Sequence, residues 1–328
     1  MNAIDEAHGR DWTLYRGDCC EVIKGIPDDS IGLTIFSPPF SNLYVYSDSI
    51  SDMGNCSSDE EFFKHFAFLA SELHRVTIPG RLVAMHCKDL PKYFGRDGAA
   101  GLKDFPGDII RCFEVYGWTF HSRVTIWKDP VIEMQRTKNN GLLHKTLCRD
   151  SSQSRQGMAD YMVVMRKTPA DGLMSVSPVK RPHSREECFA EYHGVSEPVE
   201  MSAWCKAGEP EKGSGYGLNI WQRYASPVWF DIDQTKVLNY RVARDEKDEK
   251  HICPLQLDVI ARSVELWSNP GDVVLSPFAG IGSEGYQAVL MNRCFVGIEL
   301  KDTYFDVASR HLSIAEQKRF ESMAVLFD

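Results

Sequence analysis

Two apolar runs far apart in the chain, each closed by a proline-containing turn, constrain this sequence more than any other feature. Ile31–Phe36 runs into Ser37-Pro38-Pro39-Phe40, and residues 273–275 run into Ser276-Pro277-Phe278-Ala279-Gly280-Ile281-Gly282-Ser283. Neither run alternates apolar with polar residues. A strand that is apolar on both sides lies between two layers of helix, as in a mostly parallel α/β sheet. In such sheets the loops leaving the carboxyl ends of the strands carry the chemistry.

The flanking sequence supports that architecture in two stretches. Residues 12–16 read as a strand ending at Gly17-Asp18, 20–25 as a short helix and Pro27-Asp28-Asp29 as a turn. Phe62, Phe63, Phe66, Leu69, Leu73 and Val76 fall at helical spacing. They predict a helix over 59–76 with Ser58 as N-cap and Pro79-Gly80 as its stop. A strand over 81–86, a helix over 108–116 and paired strands over 119–127 and 161–166 follow. Alternation then fades, and 168–240, rich in Pro, Gly, Ser and charge, reads as an insertion with little sheet of its own. It returns with a helix over 255–267, a strand over 272–275, a helix over 283–291, a strand over 295–299 and a helix over 302–313. The expected organisation is thus 1–167, an insertion over 168–240, and 241–328.

With 328 residues, 43% of them apolar, the chain can bury one large core or two modest ones. Ten cysteines without a Cys-x-x-Cys pair give no expectation of a metal site or a disulfide framework. No apolar stretch approaches the roughly 18 residues of a membrane span. The chain reads as soluble, reduced and cytoplasmic. Its net charge of −9 argues against blanket nucleic-acid affinity, but from His121 to Arg185 twelve Lys and Arg stand against five Asp and Glu. That makes a basic face on an acidic body.

A buried strand that runs into Gly-x-Gly and a helix offers backbone N–H groups and close approach to a ligand. Glu299 closes the next strand, seventeen residues past Gly282, where an acidic side chain suits a ribose diol. Gly280 to Gly285 also satisfies Gly-x-Gly-x-x-Gly, the pattern of a nicotinamide-dependent oxidoreductase. The 43 residues after Gly285 are too few for the rest of a dinucleotide fold. The first turn offers different chemistry. The Ser37 hydroxyl and the Pro38 carbonyl are acceptors fixed by stiff prolines, and Phe40 offers a face for a planar ring. An amine conjugated to an aromatic ring is a poor nucleophile, and acceptors on its hydrogens draw the nitrogen towards tetrahedral geometry.

In this order the motifs resemble those of the β-class DNA amino-methyltransferases. Ser37-Pro38-Pro39-Phe40 is similar to that family's Asp/Ser/Asn-Pro-Pro-Tyr/Phe signature. The stretch from Ser276 to Ser283 is similar to its Asp-Pro-Phe-x-Gly-x-Gly loop, with Ser276 where the family usually has aspartate. The resemblance implies an α/β fold, a permuted Rossmann-like seven-stranded sheet of the S-adenosylmethionine-dependent methyltransferases with an inserted target-recognition region at 168–240. It implies S-adenosylmethionine held by Ser276, Phe278, Gly280, Gly282, Ser283 and Glu299, with Asp18 near its adenine ring. His251 and Pro254 belong to a segment loosely similar to the family's His-Pro-x-x-Lys-Pro, at the methionine end.

Catalysis falls to Ser37, Pro38, Pro39 and Phe40, gripping a flipped base without a covalent intermediate. Ser37 leans towards N4 of cytosine, while the predominance of adenine enzymes leans towards N6 of adenine. Tyr44, Tyr46 and Trp127 are further pocket candidates, with core packing the simpler expectation. Phosphate contacts of double-stranded DNA are expected from Arg136, Lys138, Lys145, Arg149 and Arg155. The chain looks like the solitary and phage-type members, and relatives imply a homodimer. A methyltransferase acting on RNA or a small-molecule amine is the alternative.

Overall fold

The computed structural model describes residues 2–40, 53, 56, 58–137, 144–154, 156–170, 223–239 and 254–324. Its strands are β1 (Asp5–His8), β2 (Trp12–Arg16), β3 (Ile31–Phe36), β4 (Thr77–Lys88), β5 (Leu90–Lys92), β6 (Gly101–Lys103), β7 (Trp118–Ile126), β8 (Asp160–Lys167), β9 (Val228–Trp229), β10 (Val273–Ser276) and β11 (Cys294–Glu299). Its helices are α1 (Cys19–Val22), α2 (Asp59–Val76), α3 (Phe94–Asp97), α4 (Phe105–Val115), α5 (Pro130–Thr137), α6 (His144–Arg149), α7 (Leu257–Trp267), α8 (Ser283–Leu290) and α9 (Asp302–Ala324).

Nine strands form one sheet in the order β1-β2-β11-β10-β3-β4-β8-β7-β9, and β5 and β6 form a separate hairpin. The run from β2 to β4 is parallel throughout, whereas β8 is antiparallel to both β4 and β7. The expected seven strands are the stretch from β2 to β7 in that order, and β1 and β9 each extend an edge.

Both faces of the sheet are covered, which is why β3 is buried at all six positions. One face packs Phe62, Phe66, Leu69 and Leu73 of α2 and Ile109 and Phe113 of α4 against Phe36, Val83 and Met85. The other packs Val259, Ile260 and Val264 of α7, Val289 of α8 and Phe305 and Leu312 of α9 against Leu33, Ile35, Ala84 and Val274. The result is a three-layer α/β sandwich. From β10 the chain crosses to β11 on one side, and from β3 to β4 on the other. The crevice between β10 and β3 is therefore the switch point at which ligands bind in open α/β sheets.

The helix over 59–76 ends where expected and is capped as expected, Ser58 accepting from the Glu61 N–H. Its stop is not Pro79-Gly80, however, because β4 begins at Thr77 and runs through both residues. The β3–β4 register shifts there, from Ile31 beside Thr77 to Leu33 beside Leu82, so Pro79, which has no N–H to donate, sits in the extra length. Residues 223–239 lie within the expected insertion but bury Tyr224, Trp229 and Ile232 and add β9 to the main sheet. The segment after β7 forms the short helices α5 and α6. The last helix runs eleven residues beyond the expected 313, to Ala324. Among the described residues no helix is long and apolar enough to cross a membrane.

Candidate active site

The two motifs of the sequence meet at one edge of the sheet. β10 pairs in parallel with β3, Leu275 beside Thr34, so the turns after them leave side by side. The rings of Phe36 and Phe278 lie 5.6 Å apart. Gly17, after β2, donates to the Glu299 carbonyl at the end of β11 at 2.9 Å, which brings the Gly17-Asp18 turn to the same edge. Ser37, Phe40, Asp18, Ser276, Phe278, Gly280, Gly282, Ser283 and Glu299 thus follow the carboxyl ends of neighbouring strands. Pro254, half-buried, lies just before α7. His251, Tyr44, Tyr46, Lys138 and Arg155 lie outside the described residues, and Arg136 is described only as part of the α5 backbone. Lys145 and Arg149 are exposed on α6. Trp127, for which core packing was the simpler expectation, is 46% exposed at the end of β7.

The glycine loop has the form of a ligand cradle. Gly280 and Gly282 adopt φ of 52° and 85°, a region that side chains with a Cβ disfavour. A Cβ on Gly282 would meet the Ala308 backbone at 3.2 Å, so this glycine lets α8 approach α9. A Cβ on Gly280 would meet nothing within 4 Å. Glu299 holds the loop in place, accepting from the Gly280 N–H at 2.7 Å and the Lys301 N–H at 2.9 Å. Among the described residues the hydroxyls of Ser276 and Ser283 are buried without hydrogen-bond partners. Buried polar groups are nearly always satisfied, so these two fit a ligand that brings its own polar atoms. Asp18 caps α1, accepting from the Cys20 N–H. Its ligand atoms cluster with those of Cys19 and Cys20. A hydrogen bond with Cys20, then burial, pushes the Cys19 thiol well up, and a protonated thiol is a weak metal ligand.

Glu284, in the first turn of α8, is buried, and burial pushes its carboxyl up to about 8. The unfolded chain releases that proton near 4.5. The folded state therefore loses stability as pH rises from about 4.5 to about 8, and no further above that. Glu284→Gln is expected to stabilise the ligand-free protein by roughly 3 kcal/mol at neutral pH and to flatten this slope. Urea unfolding between about pH 5 and pH 9 measures it, and an unchanged slope would show that the carboxyl is ionised in the fold.

A chain of polar side chains leads away from the first motif. Ser37 Oγ lies 3.1 Å from His86 Nδ1, and His86 Nε2 lies 3.1 Å from Asp160 Oδ2. Lys128 Nζ reaches the same Asp160 oxygen at 2.7 Å and donates to Gln234 Oε1 at 2.6 Å. Gln256 Nε2 donates to that same oxygen of Gln234 at 3.4 Å. Burial alone would raise the Asp160 carboxyl; hydrogen bonding to His86 and the charge of Lys128 outweigh it and hold it far below the usual carboxylate range. Of these residues the sequence reading singled out only Ser37. The available signal was a histidine at the carboxyl end of a buried strand beside the Ser-Pro-Pro strand.

A Rossmann-like sheet with a serine-proline turn and a glycine cradle in one switch-point crevice is the architecture of a group-transfer enzyme of the methyltransferase class. Residues 31–310 match the N6/N4 family model described as DNA methylase. The chain is 42% identical over 300 residues to the orphan methyltransferase M.BamHII of Bacillus amyloliquefaciens, covering 91% of this chain and 95% of that one. It is 38% identical over 319 residues to the DNA adenine methyltransferase YhdJ of Escherichia coli, covering 95% and 86%. Among solved structures, TTHA0409 of Thermus thermophilus shares the fold with a TM-score of 0.60 at 18% identity, covering 92% of this chain and 94% of that one. The cytosine-N4-specific PvuII DNA methyltransferase does so with a TM-score of 0.53 at 13% identity, covering 98% and 97%. The chain belongs to the N6/N4 DNA methylase family. It is an enzyme that methylates an exocyclic amine of DNA, with S-adenosylmethionine as methyl donor.

Proposed function

We propose that the chain methylates a base flipped out of duplex DNA, and that the two motifs divide the work. Ser276, Phe278, Gly280, Gly282, Ser283 and Glu299 would hold the methyl donor, with Asp18 at its adenine end and His251 and Pro254 at its methionine end. Bound there, S-adenosylmethionine supplies an electrophilic methyl group. The rest is done by the protein. The Ser37 hydroxyl and the Pro38 carbonyl accept from the amine hydrogens, Pro38 and Pro39 fix those acceptors, and Phe40 stacks on the base. The observation that carries the reading is the adjacency of the two turns in the β10–β3 crevice, with Phe36 and Phe278 rings 5.6 Å apart.

The first target assigned is N6 of adenine, because the 38% identical relative is named an adenine methyltransferase. N4 of cytosine is the second reading, favoured by Ser37 in place of aspartate. We assign phosphate contacts to Lys145, Arg149 and the neighbouring Arg136, Lys138 and Arg155, and sequence readout to the insertion after β8. The resemblance favours a homodimer, which sedimentation tests, and the cysteine usage favours a reduced, cytoplasmic setting. The function is tested by sequencing methylated bases in DNA from a methylation-free host expressing the chain. One modified base in one sequence context is expected. It should be lost with Ser37→Ala, which is expected to lower the single-turnover rate about a hundredfold or more. Methylation found only in RNA or free nucleosides would overturn the reading.

A further inference from the structure

We propose that His86 receives the proton released when the target amine is methylated, taking it through the hydroxyl of Ser37, and that Asp160 and Lys128 set the tautomer that allows it. The inference rests on the reading of Ser37 as an acceptor for the amine.

With His86 taken as the neutral ring, each hydrogen bond of the chain has one direction. An ionised Asp160 can only accept, so Nε2 of His86 carries the hydrogen of the 3.1 Å contact. In the neutral ring Nδ1 is then a bare acceptor, and the Ser37 hydroxyl 3.1 Å away must donate to it. With its hydrogen turned inward, Ser37 Oγ presents only lone pairs outward, the state an amine N–H requires. As the N–C bond forms, the methyl–sulfur bond breaks and its electron pair stays on the sulfur. The amine proton passes to Ser37 Oγ, the Ser37 proton passes to His86 Nδ1, and the imidazolium faces the Asp160 carboxylate. Solvent later removes that proton, so the protein ends unchanged. His86 acts through Ser37 and is a positioning residue in this scheme.

The surroundings leave this chain as the charged contact of His86 among the described residues. Strand alternation puts Cys87 on the opposite face, where Asp89, Asp104 and Arg123 act on it besides Asp160. From β8 comes Asp160, and from the end of β7 Lys128, which neutralises it. On the same face Asp231 is paired with Arg223 and Arg262, and Asp258 with Lys236. A protonated His86 has no acceptor to offer Ser37, so the chemical step is expected to fall in acid.

The test uses single-turnover rates on duplex DNA across pH for the full chain, with donor binding by calorimetry as the control for folding. His86→Ala is expected to lower the rate about a hundredfold to ten-thousandfold, to remove the acid limb, and to leave donor binding within threefold. His86→Asn, whose amide oxygen can accept from Ser37 but takes no proton, should restore part of the rate without the limb. Nitrogen NMR of ligand-free protein provides a readout apart from activity: His86 should carry hydrogen on Nε2 alone at neutral pH. A His86→Ala enzyme with an intact acid limb, or a hydrogen found on Nδ1, overturns the relay. Full activity in Ser37→Ala instead overturns the function reading beneath it.

Discussion

Gly280→Asp is expected to lose S-adenosylmethionine binding about a hundredfold or more, and methylation with it. Three physical effects act in one direction. The residue sits at φ 52°, where a Cβ is strained. Its missing side chain points into open space, with nothing within 4 Å, and that is the room the donor needs. A new carboxylate there would also add a second negative charge to the site that holds Glu299, whose Oε2 lies 2.7 Å from the Gly280 nitrogen. Like charges in one site disfavour each other, and each 1.4 kcal/mol is tenfold in affinity. Gly280→Ala separates the effects, since it keeps the strain and the intrusion but adds no charge. It should lose less affinity than aspartate, at a stability cost of about 1 kcal/mol. Calorimetric titration of the donor, with thermal unfolding alongside, reads both. If Gly280→Asp bound the donor within threefold of the parent, the cradle assigned to residues 276–283 would be wrong.

That cradle was legible because its conformation is written in adjacent residues. A short apolar run, a proline and two glycines with positive φ dictate strand, turn and helix start without help from the rest of the chain. The helix over 59–76 was legible for the same reason, its apolar period and Ser58 cap being local. What stayed hidden depends on contacts between distant segments. Pro79-Gly80 is a helix stop in isolation, yet β3 pairs with Thr77 before it and Leu82 after it and so carries the strand through both residues. The Ser37–His86–Asp160–Lys128 chain draws on the turn after β3, on β4, on β8 and on the segment after β7, and no spacing announces it. Trp229 sits in a stretch whose composition says loop. Its burial is decided by Trp267, 6.2 Å away on α7, and by Arg262, 5.7 Å from its ring.

Asp231→Ala is expected to cost about 3–5 kcal/mol of stability, the largest effect of any single change in the 223–239 segment. Asp231 is 3% exposed, and Arg262 grips it with two parallel bonds of 2.7 Å to its two oxygens. Arg223 adds a third at 2.7 Å. Both guanidiniums are nearly as buried as the carboxylate, at 2% for Arg262 and 7% for Arg223. Burial alone would raise the Asp231 carboxyl; Arg262 and then Arg223 overcome it and hold it below its ordinary value. Its contribution is therefore present at neutral pH and is lost as pH falls through that lowered value. Removing the carboxylate leaves two buried cations without their counter-charge, a worse state than a buried pair with both members gone.

Chemical unfolding followed by the fluorescence of Trp229 and Trp267 measures the loss. The triple change Asp231→Leu, Arg223→Met, Arg262→Met should recover most of it, because buried ionic clusters are often replaceable by apolar packing. A loss below about 1 kcal/mol in Asp231→Ala would mean that the cluster does not pin the segment. The consequence reaches the active site, since the same segment carries Gln234, the hydrogen-bond partner of Lys128 at 2.6 Å. Loosening it withdraws support from Lys128, then from Asp160, and so from the orientation of His86 beside Ser37. Asp231→Ala should therefore slow methyl transfer under conditions where the protein is still fully folded, and the triple change, which restores the packing, should restore the rate.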